Sequence, residues 1–188
     1  MRILPAVLAA ALCLPLAAAA ETLPRPAGEI KFIAHTGDSI VLSALKGKVV
    51  VLEFLLTTCP HCQEMARKLS LLQRELGPKG LQVLGLAIDE NAGSNLANFV
   101  SKSSAAFPIG VYDYIKSRTY LQIPDVVRMN MPHIAIIDRK GLIQVHHGAE
   151  EPWMSDQAAA ANLRADITRL LGEGGSTPKP KSAPKKKS

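Results

Sequence analysis

The run Val49-Val50-Val51-Leu52-Glu53-Phe54-Leu55-Leu56 leads, through Thr57-Thr58, into Cys59-Pro60-His61-Cys62, and this junction constrains the chain more than any other stretch. Its β-branched, apolar character predicts a strand over 48–55, and the lack of one-in-one-out alternation means that both faces are buried. Pro60 suits the first position of a helix, where its missing N–H would have had no partner anyway. That places Cys59 at the N-cap and Cys62 nearly one turn further on, within reach of each other. The free N–H groups and positive end of a helix N-terminus favour thiolate over thiol at Cys59, which supplies a nucleophile at neutral pH. Cys62, deeper in the first turn, is the natural resolving thiol.

Two neighbours sharpen this reading. His61, between the cysteines, can donate a hydrogen bond or lend positive charge to a Cys59 thiolate. Glu53 interrupts an otherwise apolar strand, and a carboxyl at that depth is costly unless it has partners or chemistry. We read it as a buried proton acceptor for Cys62; the structural alternative is a glutamate facing a polar margin of the sheet.

These residues resemble the thioredoxin superfamily. The approach Leu45-Lys46-Gly47-Lys48-Val49-Val50 is similar to that of the TlpA/ResA-type envelope thioredoxins, within the redoxins, whereas Leu52-Glu53-Phe54 and the dipeptide Pro60-His61 resemble the oxidase DsbA. Thr58 stands where thioredoxins usually carry a tryptophan, so the rim that a substrate meets lacks its usual aromatic. The resemblance implies an α/β thioredoxin-like fold, a central mixed sheet flanked by helices, with an N-terminal β-hairpin and a central β/α insertion. It also assigns Met131-Pro132: a cis-proline that opens a late strand against the redox pair, with Met131 lining the substrate groove as a flexible apolar surface. His133 departs from the threonine common there.

Met1-Arg2, an apolar stretch to Leu16 and the alanines 17–20 have the three parts of a secretory signal, with cleavage expected after Ala20. The apolar stretch is short for a membrane span and holds Pro5 and Pro15. Of the three cysteines, Cys13 lies in this segment, with Leu12 before it where a lipoprotein site has a small residue. The mature chain then carries one close cysteine pair in an oxidising compartment, the periplasm or cell envelope.

The remainder divides as an extended, proline-rich lead-in over 21–29, a thioredoxin-like domain over 30–171 and a disordered tail over 172–188. Within the domain, 30–34 and 40–42 form the hairpin. A helix over 60–76 buries Met65, Leu69, Leu72 and Leu76 and stops at Gly77-Pro78. A second strand over 81–88 pairs in parallel with the first. A short helix around Leu96, Phe99 and Val100, a strand over 107–111 and a helix over 112–121 make the insertion, whose three tyrosines read as packing residues. Asp89-Glu90-Asn91 reads as an ordinary loop. Strands over 133–138 and 142–146 flank a turn, and a helix over 156–171, with Trp153 and Met154 as its packing staple, closes the fold.

The formal net charge of +6 resides mostly in the tail lysines 179, 181, 185, 186 and 187. No aromatic residues interleave with them, which argues against nucleic acid; weak attraction to anionic membrane surfaces is the most they imply. The expected function is thiol-disulfide exchange with protein thiols or disulfides, by a monomer served by a separate envelope redox partner. Its redox group is the Cys59–Cys62 disulfide, with no cofactor or metal. The scaffold leans towards a reductase and Pro60-His61 towards an oxidant. Two alternatives remain. A peroxiredoxin needs Pro and Thr where Leu52 and Leu56 stand. A copper- or other soft-metal-binding protein would combine Cys59 and Cys62 with one of His35, His133, His146 and His147.

Overall fold

The computed structural model describes residues 22–173, so the signal segment 1–20 and most of the lysine-rich tail lie outside the described residues. In chain order the strands and helices are β1 (Arg25–Pro26), β2 (Lys31–Ile33), β3 (Ser39–Val41), β4 (Val49–Leu55), α1 (Pro60–Leu76), β5 (Leu81–Ala87), α2 (Ala92–Ser103), β6 (Ile109–Val111), α3 (Tyr114–Tyr120), β7 (His133–Ile137), β8 (Leu142–Gly148) and α4 (Ala159–Gly172). The main sheet has the order β1-β8-β7-β4-β5-β6, and β2-β3 form a separate two-stranded hairpin.

The mixed character of the sheet follows from its connections. A helix separates β4 from β5 and another separates β5 from β6, and both pairs are parallel. The tight turn at Asp138–Gly141 makes β7 and β8 antiparallel, and β7 also runs antiparallel to β4. Every residue of β4 is buried, as the unbroken apolar run requires. Successive side chains still alternate between faces. Phe54 meets Tyr120 of α3 at 5.7 Å between ring centres, so Glu53 points to the opposite layer.

Helix α1 lays Met65, Leu69, Leu72 and Leu76 into the core, each worth about 1.5–3 kcal/mol of burial. Outside that stripe it is tied to the C-terminal helix by a two-pronged pair between Glu75 and Arg164, both contacts at 2.6 Å. Gly110 of β6 shows why no larger residue could stand there: a Cβ would lie 2.3 Å from the Ile33 carbonyl oxygen and from the Phe32 ring. That closeness lets the β2-β3 hairpin lean on the sheet, through the Ala34–Gly110 bridge.

Two expectations need correction. The lead-in is no mere extension, because Arg25 and Pro26 pair with Ile143 and Leu142 and add a strand to the sheet edge. Helix α4 begins at Ala159 rather than 156, after a 3-10 turn over Pro152–Met154, and it continues through Gly172. Met154 packs into the core and Trp153, part-buried, packs against it, as expected of a staple; Trp153 also stacks on His147 at 4.5 Å, and its carbonyl accepts from Asn162 at 3.0 Å.

Candidate active site

The carboxyl end of β4 and the N-terminus of α1 meet at Cys59. Its backbone is extended (φ −80°, ψ 119°), it caps the helix, and its sulfur accepts the Cys62 N–H at 3.2 Å, with Pro60 next in the first turn. Thr58, Pro60 and His61 are exposed around it, whereas Cys62 is fully buried. Both thiols are free, so this is the dithiol form.

The two sulfurs are driven in opposite directions. A hydrogen bond from the Cys62 thiol, helped by the N–H groups of Cys62 and His61, pulls Cys59 down from an ordinary 9.0 to about 6 against the opposing effect of burial; the charge of His61 is the smallest contribution. The same shared hydrogen bond, then burial, pushes Cys62 up. Glu53 is also fully buried and neither carboxyl oxygen has a hydrogen-bond partner. Burial first, and the negative charge of Cys59 second, push its carboxyl well above the usual range. The polar-margin alternative for Glu53 therefore does not hold: the side chain is inside, unpaired, and in electrostatic contact with both cysteines.

This ordering of causes gives a test. Cys62→Ala should return the Cys59 titration most of the way to an ordinary thiol, whereas His61→Ala should move it only slightly, read from thiolate absorbance against pH. A larger shift in His61→Ala would reverse the ranking.

From the other side comes the turn before β7. The Met131–Pro132 bond is cis, both residues are buried, and the Met131 carbonyl oxygen lies 3.9 Å from the Cys59 sulfur. Next to it is a cavity of about 200 Å³ lined by Met65, Met131 and Met154, with His61, Pro132 and the Lys68–Asp156 pair (3.7 Å) at its edge. Thr58 is exposed and does not line it.

Sequence reasoning passed over Asp89. Its carboxylate, at the end of β5, accepts from the Thr57 backbone N–H at 2.8 Å and from the Thr57 hydroxyl at 2.6 Å. These bonds fix the loop that delivers Cys59. An acidic residue at the carboxyl end of the strand beside the redox strand was the available signal.

The histidines do not gather around the sulfurs. His35 accepts from the Ile109 N–H at 3.2 Å, His147 pairs with Glu151, and His133 and His146 lie with ring nitrogens 3.1 Å apart. Among the described residues no three of His, Cys, Asp and Glu are placed to hold a metal ion.

The redoxin family profile matches residues 19–163, and the chain belongs to that family. Its fold is shared with solved structures. A candidate thiol:disulfide interchange protein DsbE from Chlorobium tepidum is 23% identical, with TM-score 0.67 over 79% of this chain and 97% of the other. A thiol:disulfide interchange protein of the thioredoxin family from Chlorobium tepidum TLS is 20% identical, with TM-score 0.66 over 81% and 100%. A secreted Mycobacterium tuberculosis disulfide oxidoreductase homologous to E. coli DsbE is 20% identical, with TM-score 0.57 over 72% and 95%. No curated protein matches the chain in sequence.

Proposed function

We propose that this redoxin is a thiol-disulfide oxidoreductase of the TlpA/ResA type, acting on protein disulfides or thiols in the cell envelope. The observation that carries the reading is the opposed pair: a part-exposed Cys59 sulfur at a helix N-cap, lowered by the hydrogen bonds it accepts, and a fully buried Cys62 that is raised. In the reducing direction the Cys59 thiolate attacks a substrate disulfide, forms a mixed disulfide and releases one substrate thiolate, which takes a proton from water. Cys62 then gives its proton to Glu53 and attacks the Cys59 sulfur. The second substrate thiolate leaves and the Cys59–Cys62 disulfide remains. Once Cys59 is bonded its negative charge is gone, which removes one of the two causes that hold the Glu53 proton affinity high. The bonded state therefore lets Glu53 release its own proton to solvent, and the carboxylate so formed takes the Cys62 proton.

A lowered Cys59 thiol serves reductants and oxidants of this fold alike; the likeness of the scaffold to the TlpA/ResA type is what supports a reductase, re-reduced by a separate envelope partner. Envelope location is supported by the signal-like segment 1–20 and by the secreted DsbE homologue of like fold. Among the described residues no helix is long and apolar enough to cross a membrane. Peroxide chemistry is disfavoured by Leu52 and Leu56, two apolar side chains where an activating loop needs proline and threonine.

The test is the reduction potential of the pair, by equilibration with glutathione. A potential near about −270 mV is expected of a reductant of the thioredoxin kind. One near about −120 mV would make the protein an oxidant that introduces disulfides, and absence of exchange with either glutathione form would remove the reading altogether.

A further inference from the structure

The face of the main sheet that carries Phe54 is covered unevenly. Side chains of β4 alternate, so Val50 shares that face with Phe54, and Ile137 stands directly across from Val50 on β7. Tyr120 of α3 packs on Phe54, but no residue of α3 lines the space over Val50. The cover there comes from the lead-in and from the 3-10 turn over Leu42–Leu45. A cavity of about 400 Å³ is left between them, the size of a small-ligand site. Leu42, Leu45, Val50, Ile137 and Leu142 make its interior apolar.

The mouth of this cavity is charged. Lys46 and Lys48 flank Gly47 in one turn, closed by the Lys48 N–H on the Leu45 carbonyl at 3.0 Å, and Lys140 lies in the turn at Asp138–Gly141. The two turns are locked together: the Gly47 N–H donates to the Arg139 carbonyl at 2.9 Å, and Arg139 Nη1 donates back to the Gly47 carbonyl at 2.8 Å. All three lysines are exposed and line the cavity, and among the described residues none of them forms a salt bridge. The two carboxylates at the same rim are already engaged. Glu29 accepts from the Ser43 N–H at 3.1 Å and hydroxyl at 2.6 Å, and Asp138 accepts from the N–H groups of Lys140 and Leu142 at 2.8 and 3.0 Å and from the Gln144 amide at 2.8 Å. Three ammonium groups against two carboxylates leave the rim positive, and a cleft of one excess sign with low-dielectric walls concentrates counter-ions. We propose that the cavity binds a small amphipathic anion, a free carboxylate on a single medium-length alkyl chain. The chain lies on the apolar interior and the carboxylate meets the ammonium groups of Lys46 and Lys48. The volume has no room for a two-chain lipid, and the lysine-rich tail of the protein has the wrong sign to fill it. With a rise of about 3.3 Å per residue, Val50 lies about 17 Å from Leu55, at the end of β4 remote from Cys59. The site is independent of the oxidoreductase reading.

The experiment is titration calorimetry of the full-length protein with decanoate, with decanol as the neutral chain of the same length. Decanoate should bind saturably, one per chain, and about tenfold more tightly than decanol. The double variant Lys46→Gln/Lys48→Gln should weaken decanoate about tenfold, the combined worth of two exposed ion pairs, and leave decanol unchanged. Both lysines are exposed, so their replacement leaves the fold intact. Lys179→Gln/Lys181→Gln, the same charge change in the tail, should bind decanoate as wild type does. Absence of saturable decanoate binding overturns the proposal. So does equal affinity for decanoate and decanol, or an unchanged decanoate affinity in Lys46→Gln/Lys48→Gln. A matching loss in the tail variant would place the anion on the tail and overturn the cavity as its site.

Discussion

Glu53→Leu is expected to be more stable than the wild type at neutral pH and to exchange disulfides about a hundredfold more slowly, the lower end of what a positioned proton acceptor contributes. The stability gain comes from removing a fully buried carboxyl with no hydrogen-bond partner, a defect that costs about 1–3 kcal/mol. Its pH dependence has a definite sign. The folded protein holds the Glu53 proton more tightly than the unfolded chain does. The stability linked to that proton is therefore complete below the ordinary carboxylate range and is lost as pH rises towards the folded value. The advantage of Glu53→Leu should consequently widen with pH above about 4.5, by at most about 1.4 kcal/mol per unit. Cys59 works in the other sense, its lowered value giving stability that is complete above about 9 and lost as pH falls through about 6; both proteins share it. Urea melts of the reduced proteins from pH 4 to 8 measure the difference. A gap that stays constant with pH would show that Glu53 does not hold its proton, and an undiminished exchange rate would remove its role.

The second large effect separates the two cysteines. Cys62→Ser should accumulate a mixed disulfide on Cys59, because attack proceeds and resolution cannot. Cys59→Ser should be inert, since Cys62 is wholly buried and keeps its proton. In native reduced wild type one sulfur should alkylate with a pH midpoint near 6 and the other only after unfolding. Mass spectrometry of the trapped and alkylated species reads both outcomes. Two equally reactive thiols, or no trapped adduct from Cys62→Ser, would contradict the opposed pair.

The strongest signals in the sequence are local ones, and these carry well into the structure. β4 and α1 start and stop within a residue of expectation because an unbroken apolar run, a helix-starting proline and Gly77-Pro78 are all local features. Pro132 was legible through resemblance alone, as nothing in its neighbours selects the isomer. Asp89 was not legible. Its role depends on which loop lies beside it, the one that carries Thr57, and an isolated acid carries no mark of that. The start of α4 is misjudged for a related reason: Ala158 offers no capping side chain, and a turn in which the Ala158 and Ala159 N–H groups donate to the Ser155 carbonyl precedes the helix.

One short stretch of chain finishes both margins of the main sheet. Arg25 and Pro26 close the β8 side, where proline has no N–H to offer a further strand, and Ala34 and His35 close the β6 side by bridging Gly110 and Ile109. A protease that trimmed the chain back to about residue 36 would leave the redox pair and its helix in place. It would also uncover two unpaired rows of backbone donors and acceptors at once, and the trimmed protein would be prone to edge-to-edge association. Residues 22–35 thus guard solubility for a site to which they contribute no sulfur and no acid.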